Sequence, residues 1–452
     1  MDILEKITAL AKRRGFIYPG SEIYGGLAGT WDYGPLGVEL KRNIKNEYWR
    51  SIVQKRNDVV GVDAAIMMHP KIWSASGHLE SFSDPLVECK KCHHRFRADH
   101  ILPNAGKNLK PKTYNLKPNQ CSDCGGELTE PKQFNLMVEA YLGIIEGEKQ
   151  KIYLRGEITQ GVHVNFKNII DSTRVKIPFG IAQIGKAFRN EITPNTLTFR
   201  SREFEQMELQ FYIKPEKKEA EHWVEYWKKE RLNWYLNLGL NAKNLHFREH
   251  KDDERAHYAK AAYDIEYKFG GEWKEMEGIH HRGDWDLSRH QEYSGKDLSY
   301  FNEETREKYL PFVIETSGGV DRAALFFLAD AYFEEELSEK DKRIVLKLHP
   351  RLAPYKVAVF PLLPNKPALV KKARDVYSLL TTHYSLLPIV WDDRGNIGKR
   401  YRAQDEIGTP YCVTIDFNSL ENDDVTVRER DTMKQERVKI KELGDYLEEK
   451  IK

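Results

Sequence analysis

Two spacings of apolar residues alternate along the chain. Residues 1–15, MDILEKITALAKRRG, mix acid and base among apolar side chains and predict a short amphipathic helix ending at Gly15. Glycines between Gly20 and Gly37, together with Pro35, interrupt any helix there. Helical spacing returns from Val38, with Leu40, Ile44, Tyr48 and Ile52 on one stripe, and a strand is predicted from Val59 to Met68, stopping at His69-Pro70. Gln160–Ser172 and Lys214–Leu238 also read as helices, the second with Trp223, Trp227 and Trp234 packing one side. A period of two marks Ile181–Phe188, Phe199–Phe211, the stretch around Glu275–Glu277 and the segment running to Glu315. After the proline-containing linker HPRLAPYK the pattern switches to βαβ: VAVFPLL, a helix over Ala368–Tyr384, LPIVWDD, GTPYCVTID and the strand VTVRERD.

The Phe199–Phe211 segment is unusual. Alternation puts Glu203, Glu205 and Met207 on one face and Phe204, Gln206 and Glu208 on the other. A strand that only packs keeps one apolar face; this one has carboxylates on both. The loop before it holds Arg189, Glu191, Arg200 and Arg202. Guanidinium groups recognise phosphate bidentately, and carboxylates hold ammonium groups or metal ions. The plainer reading is a charged edge hairpin that keeps a sheet soluble, but an edge rarely needs so many arginines and acids together.

Other stretches offer candidate chemistry. Glu157 sits between a short strand, Tyr153–Arg155, and a helix, as a helix-terminal carboxylate or as a ligand to substrate. Glu275 and Glu277 flank Met276 and share a face on a regular strand, an arrangement suited to magnesium, to an ammonium group or simply to solvent. In LPFVIETSGGVDRAALFFLADAY a strand ends at Glu315, Ser317 and two glycines turn the chain, and a helix starts near Val320 with Asp321 and Arg322 in its first turn. An arginine there opposes the helix dipole, so an anionic ligand or an ion pair must account for it. CKKC (Cys89, Cys92) and CSDC (Cys121, Cys124) offer four thiolates to one tetrahedral ion, typically zinc, although the intervening stretch is longer than in most such knuckles. His93, His94 and His100 lie close by, with His94 read as an exposed polar residue; Cys412, amid apolar residues, reads as a buried free thiol. The loop GNIGKRYRAQDEIG gathers Lys399, Arg400, Tyr401 and Arg402, a mixture that suits an RNA backbone and a stacked base.

FRNE, a loop, and then FRSREFEQME resembles motif 2 of the class II aminoacyl-tRNA synthetases, in the form found in the glycyl enzymes. The helix and strand ending at Pro70 resemble motif 1, ETSGGVDR resembles motif 3, and RGE at 155–157 stands where that family usually has RPE. The C-terminal block is similar to the anticodon-binding domain shared by glycyl, histidyl, prolyl and threonyl synthetases. The resemblance runs from Ile3 to Lys452. It implies an α+β catalytic domain over 1–348, an antiparallel sheet flanked by helices, with a zinc-knuckle insertion at 86–130. A linker at 349–354 and an α/β anticodon-binding domain at 355–452 would follow. It further implies glycine, ATP and tRNA(Gly) as ligands, magnesium, structural zinc, and a homodimer built on motif 1.

The same resemblance implies roles for particular residues. ATP would meet Arg189, Asn190 and Glu191, then Phe199, Arg200, Ser201, Arg202, Glu203 and Phe204. Glu275, Met276, Gly319, Val320, Asp321 and Arg322 would complete that site. Arg189 would bridge the α-phosphate and the glycine carboxylate, Arg322 would hold the γ-phosphate with Arg200 or Arg202 assisting, and Glu315 with Glu275 would carry magnesium. Glycine would be surrounded by Arg97, Glu157, Phe204, Glu205, Gln206, Met207 and Glu208, and by Glu315, Thr316, Ser317, Gly318 and Gly319. Arg189, Arg322 and Glu315 would be the catalytic groups. The rivals are a synthetase for another amino acid and a non-catalytic relative acting as a nucleic-acid-binding or polymerase accessory subunit; such relatives would be expected to lose the motif arginines, and both are present.

Composition adjusts this picture little. With 452 residues the chain has room for two or three domains. A formal net charge of +2 at 31% charged residues means that RNA contact must come from local patches. No apolar run approaches a membrane span and the N-terminus shows no signal-peptide core, so a soluble cytoplasmic protein is expected.

Overall fold

In a computed structural model, the described residues are 3–98, 120–145, 147–192, 197–252, 254–255, 259–339, 341–383 and 388–451. His100, grouped above with His93 and His94, lies outside them. The N-terminal helix α1 (Ile3–Arg14) buries Ile7, Leu10 and Ala11, and Gly15 ends it at φ +77°, where other residues are strained. Helix α2 (Pro35–Trp49) starts so close to the backbone of Phe16 that a Cβ on Gly37 would sit 1.8 Å from its carbonyl oxygen. It buries the predicted stripe of Leu40, Ile44 and Tyr48.

A seven-stranded sheet organises the molecule. Its strands are β1 (Val59–Gly61), β2 (Phe179–Phe188), β3 (Glu203–Ile213), β4 (Leu245–Glu249), β5 (Ala261–Phe269), β6 (Glu272–Gly283) and β7 (Phe312–Gly319). The order is β4-β5-β6-β7-β3-β2-β1, antiparallel throughout except for β1 on β2. One face is apolar and packs against α2, α3 (Lys217–Asn237) and α4 (Val320–Ala331), with Met207, Leu209 and Phe211 of β3 in that core beside Trp227, Trp234 and Phe326. The opposite face is apolar at one end only, where Phe179, Tyr212 and Val313 meet Val162, Phe166 and Leu287. At its other end that face is open and polar, and the candidate site lies there.

Several sequence readings are corrected. The strand predicted from Val59 to Met68 stops at Gly61, because the backbone of Ala64 leaves the ladder for side chains: its N–H donates to Gln183 (3.1 Å) and its carbonyl accepts from Arg155 (2.7 Å). The turn read at Ser317 is the end of β7, which runs on to Gly319 before α4 begins. Glu275 and Glu277 do not share a face. Met276 is an extra residue in β6, since Ile265 pairs with Glu277 and Glu266 with Glu275, and this bulge turns the two acids apart. Glu277 is buried on the helix side, bound by Arg231 (2.5 and 3.0 Å) and the Tyr235 hydroxyl (2.7 Å).

The C-terminal region has its own core under a five-stranded sheet ordered Ile389–Trp391, Val357–Pro361, Tyr411–Ile415, Asp424–Glu429 and Gln435–Lys439. The stretch read as a basic RNA-binding loop is mostly a helix, Ile397–Ile407. Arg400 is buried there and donates to the carbonyls of Pro361 and Leu362, and the half-exposed Arg402 pairs with Asp341, so of the four grouped residues Lys399 alone is exposed and Arg400 is withdrawn from solvent. Several contacts join this region to the rest, among them Arg14 with Glu406 and Arg351 with Glu47. Asn43 of α2 donates to the carbonyls of Leu352 and Ala353, and the buried Asp405 accepts from Arg343 (3.1 Å) and Arg428 (2.8 and 3.0 Å).

Candidate active site

β3, β6 and β7 lie side by side, and alternation brings Glu208, Glu315, His280 and Arg282 to the open face. They floor a cleft of about 230 Å³ with Glu157, from the loop after the Gln150–Leu154 strand, and Thr159, the first residue of the helix Thr159–Val164. Glu315 is held by Arg282 Nη1 (3.1 Å to each oxygen), His280 Nδ1 (2.7 Å) and Gln210 Nε2 (2.9 Å). Glu208 accepts from Ser317 Oγ (2.6 Å), Gln206 Nε2 (2.9 Å) and Thr159 Oγ1 (2.5 Å). Glu157 accepts from Gln160 Nε2 (2.9 Å) and lies 3.4 Å from His78 Nε2.

The three carboxyls titrate differently because their partners differ. Burial works to raise Glu315, but Arg282 and His280 hold it well below the usual carboxylate range. Burial is likewise outweighed at Glu157, where His78 and Arg282 bring the value to about 2. Glu208 has no cation of its own. Burial, then the charges of Glu315 and Glu157, push it up to about 8. His280 loses charge to burial but regains it from Glu315 and ends above its ordinary value. The floor therefore has one carboxyl that holds its proton at neutral pH unless a cation arrives beside it. Gln206 Oε1, almost fully buried in the same wall, has no hydrogen-bond partner among the described residues and is a further acceptor.

Arginines line the upper cleft. Arg189 lies between the rings of Phe82 and Phe204 (5.1 and 5.2 Å) and donates to the Gly156 carbonyl. Arg322, in the first turn of α4, covers the Phe199 ring at 4.7 Å and pairs with Glu275 at 3.0 Å; this pairing lowers the Glu275 pKa. Arg200 lies 3.8 Å from the buried Glu191, and Ser201 is also buried in this wall. Asp321 accepts from Tyr33 Oη (2.6 Å), Lys41 Nζ (2.8 Å) and the Glu205 N–H (2.6 Å), so it fastens the start of α4 to β3 and α2.

Several residues assigned to ligands by the resemblance are placed elsewhere. The Glu205 carboxylate faces α2 and pairs with Lys41 and Lys45 (3.1 and 2.9 Å). Met207 and Val320 are in the apolar core, and Thr316 is buried on that side of β7. Asn190, Arg202 and Glu203 line a neighbouring cavity, and Arg97 pairs with Asp84 in a three-stranded sheet outside the cleft. Glu315 and Glu275 do not form a metal pair, since both oxygens of Glu315 are engaged by Arg282. Arg282, His280, Thr159, Gln210 and His78 were not singled out in the sequence. His280 and Arg282 carried a signal in their period-two spacing on a strand; the others carried none.

The four predicted cysteines converge, with every pair of sulfurs within 4.8 Å. Cys89 and Cys124 are 3.5 Å apart and Cys92 and Cys121 3.7 Å. A tetrahedral ion with metal–sulfur distances near 2.3 Å needs sulfurs ~3.8 Å apart, so the set fits zinc. The N–H groups of Cys92 and Lys91 point at Cys89 Sγ and lower its thiol to about 6. His94 is exposed and bonded to Asp123, away from the cluster. Cys412 is buried, as read, and burial pushes its thiol up.

A sheet whose central strands carry this cleft, with arginines at the ends of β2 and in α4, is a class II aminoacyl-tRNA synthetase core. A family model described as "tRNA synthetase class II core domain (G, H, P, S and T)" matches residues 141–330, and one described as "Anticodon binding domain" matches 356–450. Curated relatives named "Glycine--tRNA ligase" are similar over nearly the whole chain. That of Alkaliphilus oremlandii is 52% identical over 99% of this chain and 98% of its own length. Those of Thermobifida fusca and Borreliella burgdorferi are 50% and 51% identical, over 100% and 99% of this chain and 98% and 97% of theirs. The chain belongs to the glycine–tRNA ligase family.

Proposed function

We infer that the protein activates glycine with ATP, releasing pyrophosphate, and transfers the glycyl group to the 3′ end of tRNA(Gly). The observation that carries this reading is the acid floor beneath an arginine-lined cleft: Glu208, pushed up to about 8, awaits a cation beside Glu157 and the unpartnered Gln206 Oε1. The glycine ammonium is that cation. With the ammonium at the floor, the carboxylate points up towards Arg189.

Activation brings two anions together, the glycine carboxylate and the α-phosphate, and the upper cleft supplies guanidinium charge where they meet. Arg189 neutralises both, and Arg322 and Arg200 hold the outgoing phosphates. This is electrostatic stabilisation and positioning, with no protein nucleophile. Magnesium accompanying the nucleotide would offset further phosphate charge, and Glu275 on the rim is the residue placed to hold it. The four cysteines hold zinc and fold the insertion around it.

Selectivity follows from the floor. Its groups, Glu157, Thr159, Gln206, Glu208, His280, Arg282, Glu315 and Ser317, are polar and mostly tied to one another by hydrogen bonds. A side chain on the substrate would displace one of them and leave its partner unpaired, a larger penalty than the loss of one apolar contact. The exposed apolar residues Ile23, Tyr24, Leu27 and Val38 support a second copy of the chain as partner, and the C-terminal region supports tRNA binding away from the cleft. Among the described residues no helix is long and apolar enough to cross a membrane.

Charging assays with labelled glycine, alanine and serine on tRNA(Gly) test this reading. Glycyl-tRNA alone should accumulate. Charging with alanine or serine at a comparable rate contradicts the pocket, and no charging at all contradicts the reaction.

A further inference from the structure

We propose that Asp286 is a positioning residue of the glycine pocket. It sets Arg282 and Gln160, and through them Glu315 and Glu157, without touching substrate itself. The inference rests on the glycine-activation reading.

Asp286 lies in the first turn of the helix Trp285–Ser294 and is 1% exposed. It does not line the cleft. Its Oδ2 accepts from Arg282 Nε (2.8 Å), and its Oδ1 accepts from Arg282 Nη2 (2.9 Å) and Gln160 Nε2 (2.9 Å). The guanidinium is thus gripped along one edge, and only its Nη1 is directed at Glu315. Gln160 gives its amide nitrogen to both Asp286 and Glu157, while its oxygen lies 2.8 Å from His290 Nε2, so its amide is fixed from both ends. One buried carboxylate therefore orients the supports of two of the three acids that face the ammonium.

The charge matters as well as the shape. Arg282 is buried among Glu315, Glu157 and Asp286, with His163 Nε2 3.6 Å from Asp286 and His280 on the far side of Glu315. Without the Asp286 charge, Arg282 loses the carboxylate that grips its Nε–Nη2 edge, and the direction of its Nη1 towards Glu315 is no longer set from behind. Glu157 would lose the fixed orientation of Gln160. Both changes weaken glycine and leave the ATP-binding rim unaffected. A residue that only stabilised the fold would not discriminate between the two substrates.

The test measures the KM for glycine and for ATP separately, by pyrophosphate exchange, in wild type, Asp286→Asn and Leu287→Ala. Leu287 is buried on the same helix but faces the apolar core. Asp286→Asn should raise the glycine KM at least tenfold with the ATP KM within twofold. Leu287→Ala should lower the melting temperature and leave both KM values near wild type. An unchanged glycine KM in Asp286→Asn, equal rises for both substrates, or the same selective rise in Leu287→Ala overturns the proposal. If Asp286→Asn is not recovered folded, Gln160→Met decides: a threefold or greater selective rise in glycine KM supports the role and no change overturns it. Wild-type exchange that ignores glycine would overturn the function itself, a different result from a wild type that responds and a variant that matches it.

Discussion

Glycine affinity should depend steeply on pH, and Glu208 is the reason. Burial together with the charges of Glu315 and Glu157 raises its carboxyl from 4.5 to about 8. In the empty pocket at pH 7 the group is therefore protonated, and ionising it costs about 1.4 kcal/mol, since one pKa unit corresponds to 1.36 kcal/mol. An ammonium beside it favours the carboxylate, so binding releases the proton and becomes tighter as pH rises, levelling off above about 8. By linkage the glycine KM should be roughly 100-fold above its plateau at pH 6, about tenfold above at pH 7 and about twofold above at pH 8. The glycine amine stays charged across this range, because the adjacent free carboxylate makes it more basic than a peptide terminus. Folding has the opposite sign. A raised carboxyl binds a proton in the folded state that the unfolded chain has released, so this group makes the empty protein less stable as pH rises from about 4.5 to about 8. Glycine should therefore raise the melting temperature more at pH 8 than at pH 6. The assay is pyrophosphate exchange at saturating ATP from pH 6 to 8.5, on wild type and Glu208→Gln. The variant should bind glycine weakly with a flat pH profile. A flat wild-type profile, or a KM that rises with pH, refutes the reasoning.

Other sites lead to separate expectations. Arg322→Ala removes the guanidinium proposed to hold the phosphates, and losing a charge-assisted contact of about 2 kcal/mol should raise the ATP KM roughly thirtyfold while the glycine KM stays near wild type; steady-state kinetics decide. Elemental analysis should find one zinc per chain, and Cys121→Ser should reduce it to less than half; a full complement in the variant would contradict the cluster. Asp405→Asn leaves Arg343 and Arg428 buried with no carboxylate between them and should destabilise the chain by about 3–5 kcal/mol in chemical denaturation.

Much of the scaffold was legible from spacing alone. The Leu40–Ile44–Tyr48 stripe, the tryptophans of α3 and the alternation of β3 follow directly from helical and strand periods. The puzzle of carboxylates on both faces of β3 has two separate answers: Glu208 serves the cleft, while Glu205 meets Lys41 and Lys45 at the end of an otherwise apolar face. What escaped reading depended on contacts distant in sequence. The bulge at Met276 reverses Glu277, and nothing in EWKEMEG marks a bulge, because its cause is Arg231 and Tyr235 on α3 waiting for a carboxylate. Arg400 looked like an RNA ligand because composition cannot tell a solvated arginine from one that satisfies buried carbonyls. The arginines of motifs 2 and 3 were legible as cleft candidates and do line the cleft, yet the residues that tune the acids, His78, Arg282 and Asp286, became meaningful only when the sheet and the Trp285–Ser294 helix brought them to one place.

The central claim is that the acid floor selects glycine and that Arg189 neutralises the reacting anions. Pyrophosphate exchange with each of the twenty amino acids in turn, on wild type and on Arg189→Ala, tests it most directly. Exchange is expected with glycine alone in wild type and should be lost in the variant. Exchange with another amino acid would contradict the pocket, and undiminished glycine exchange in Arg189→Ala would contradict the role given to the arginine.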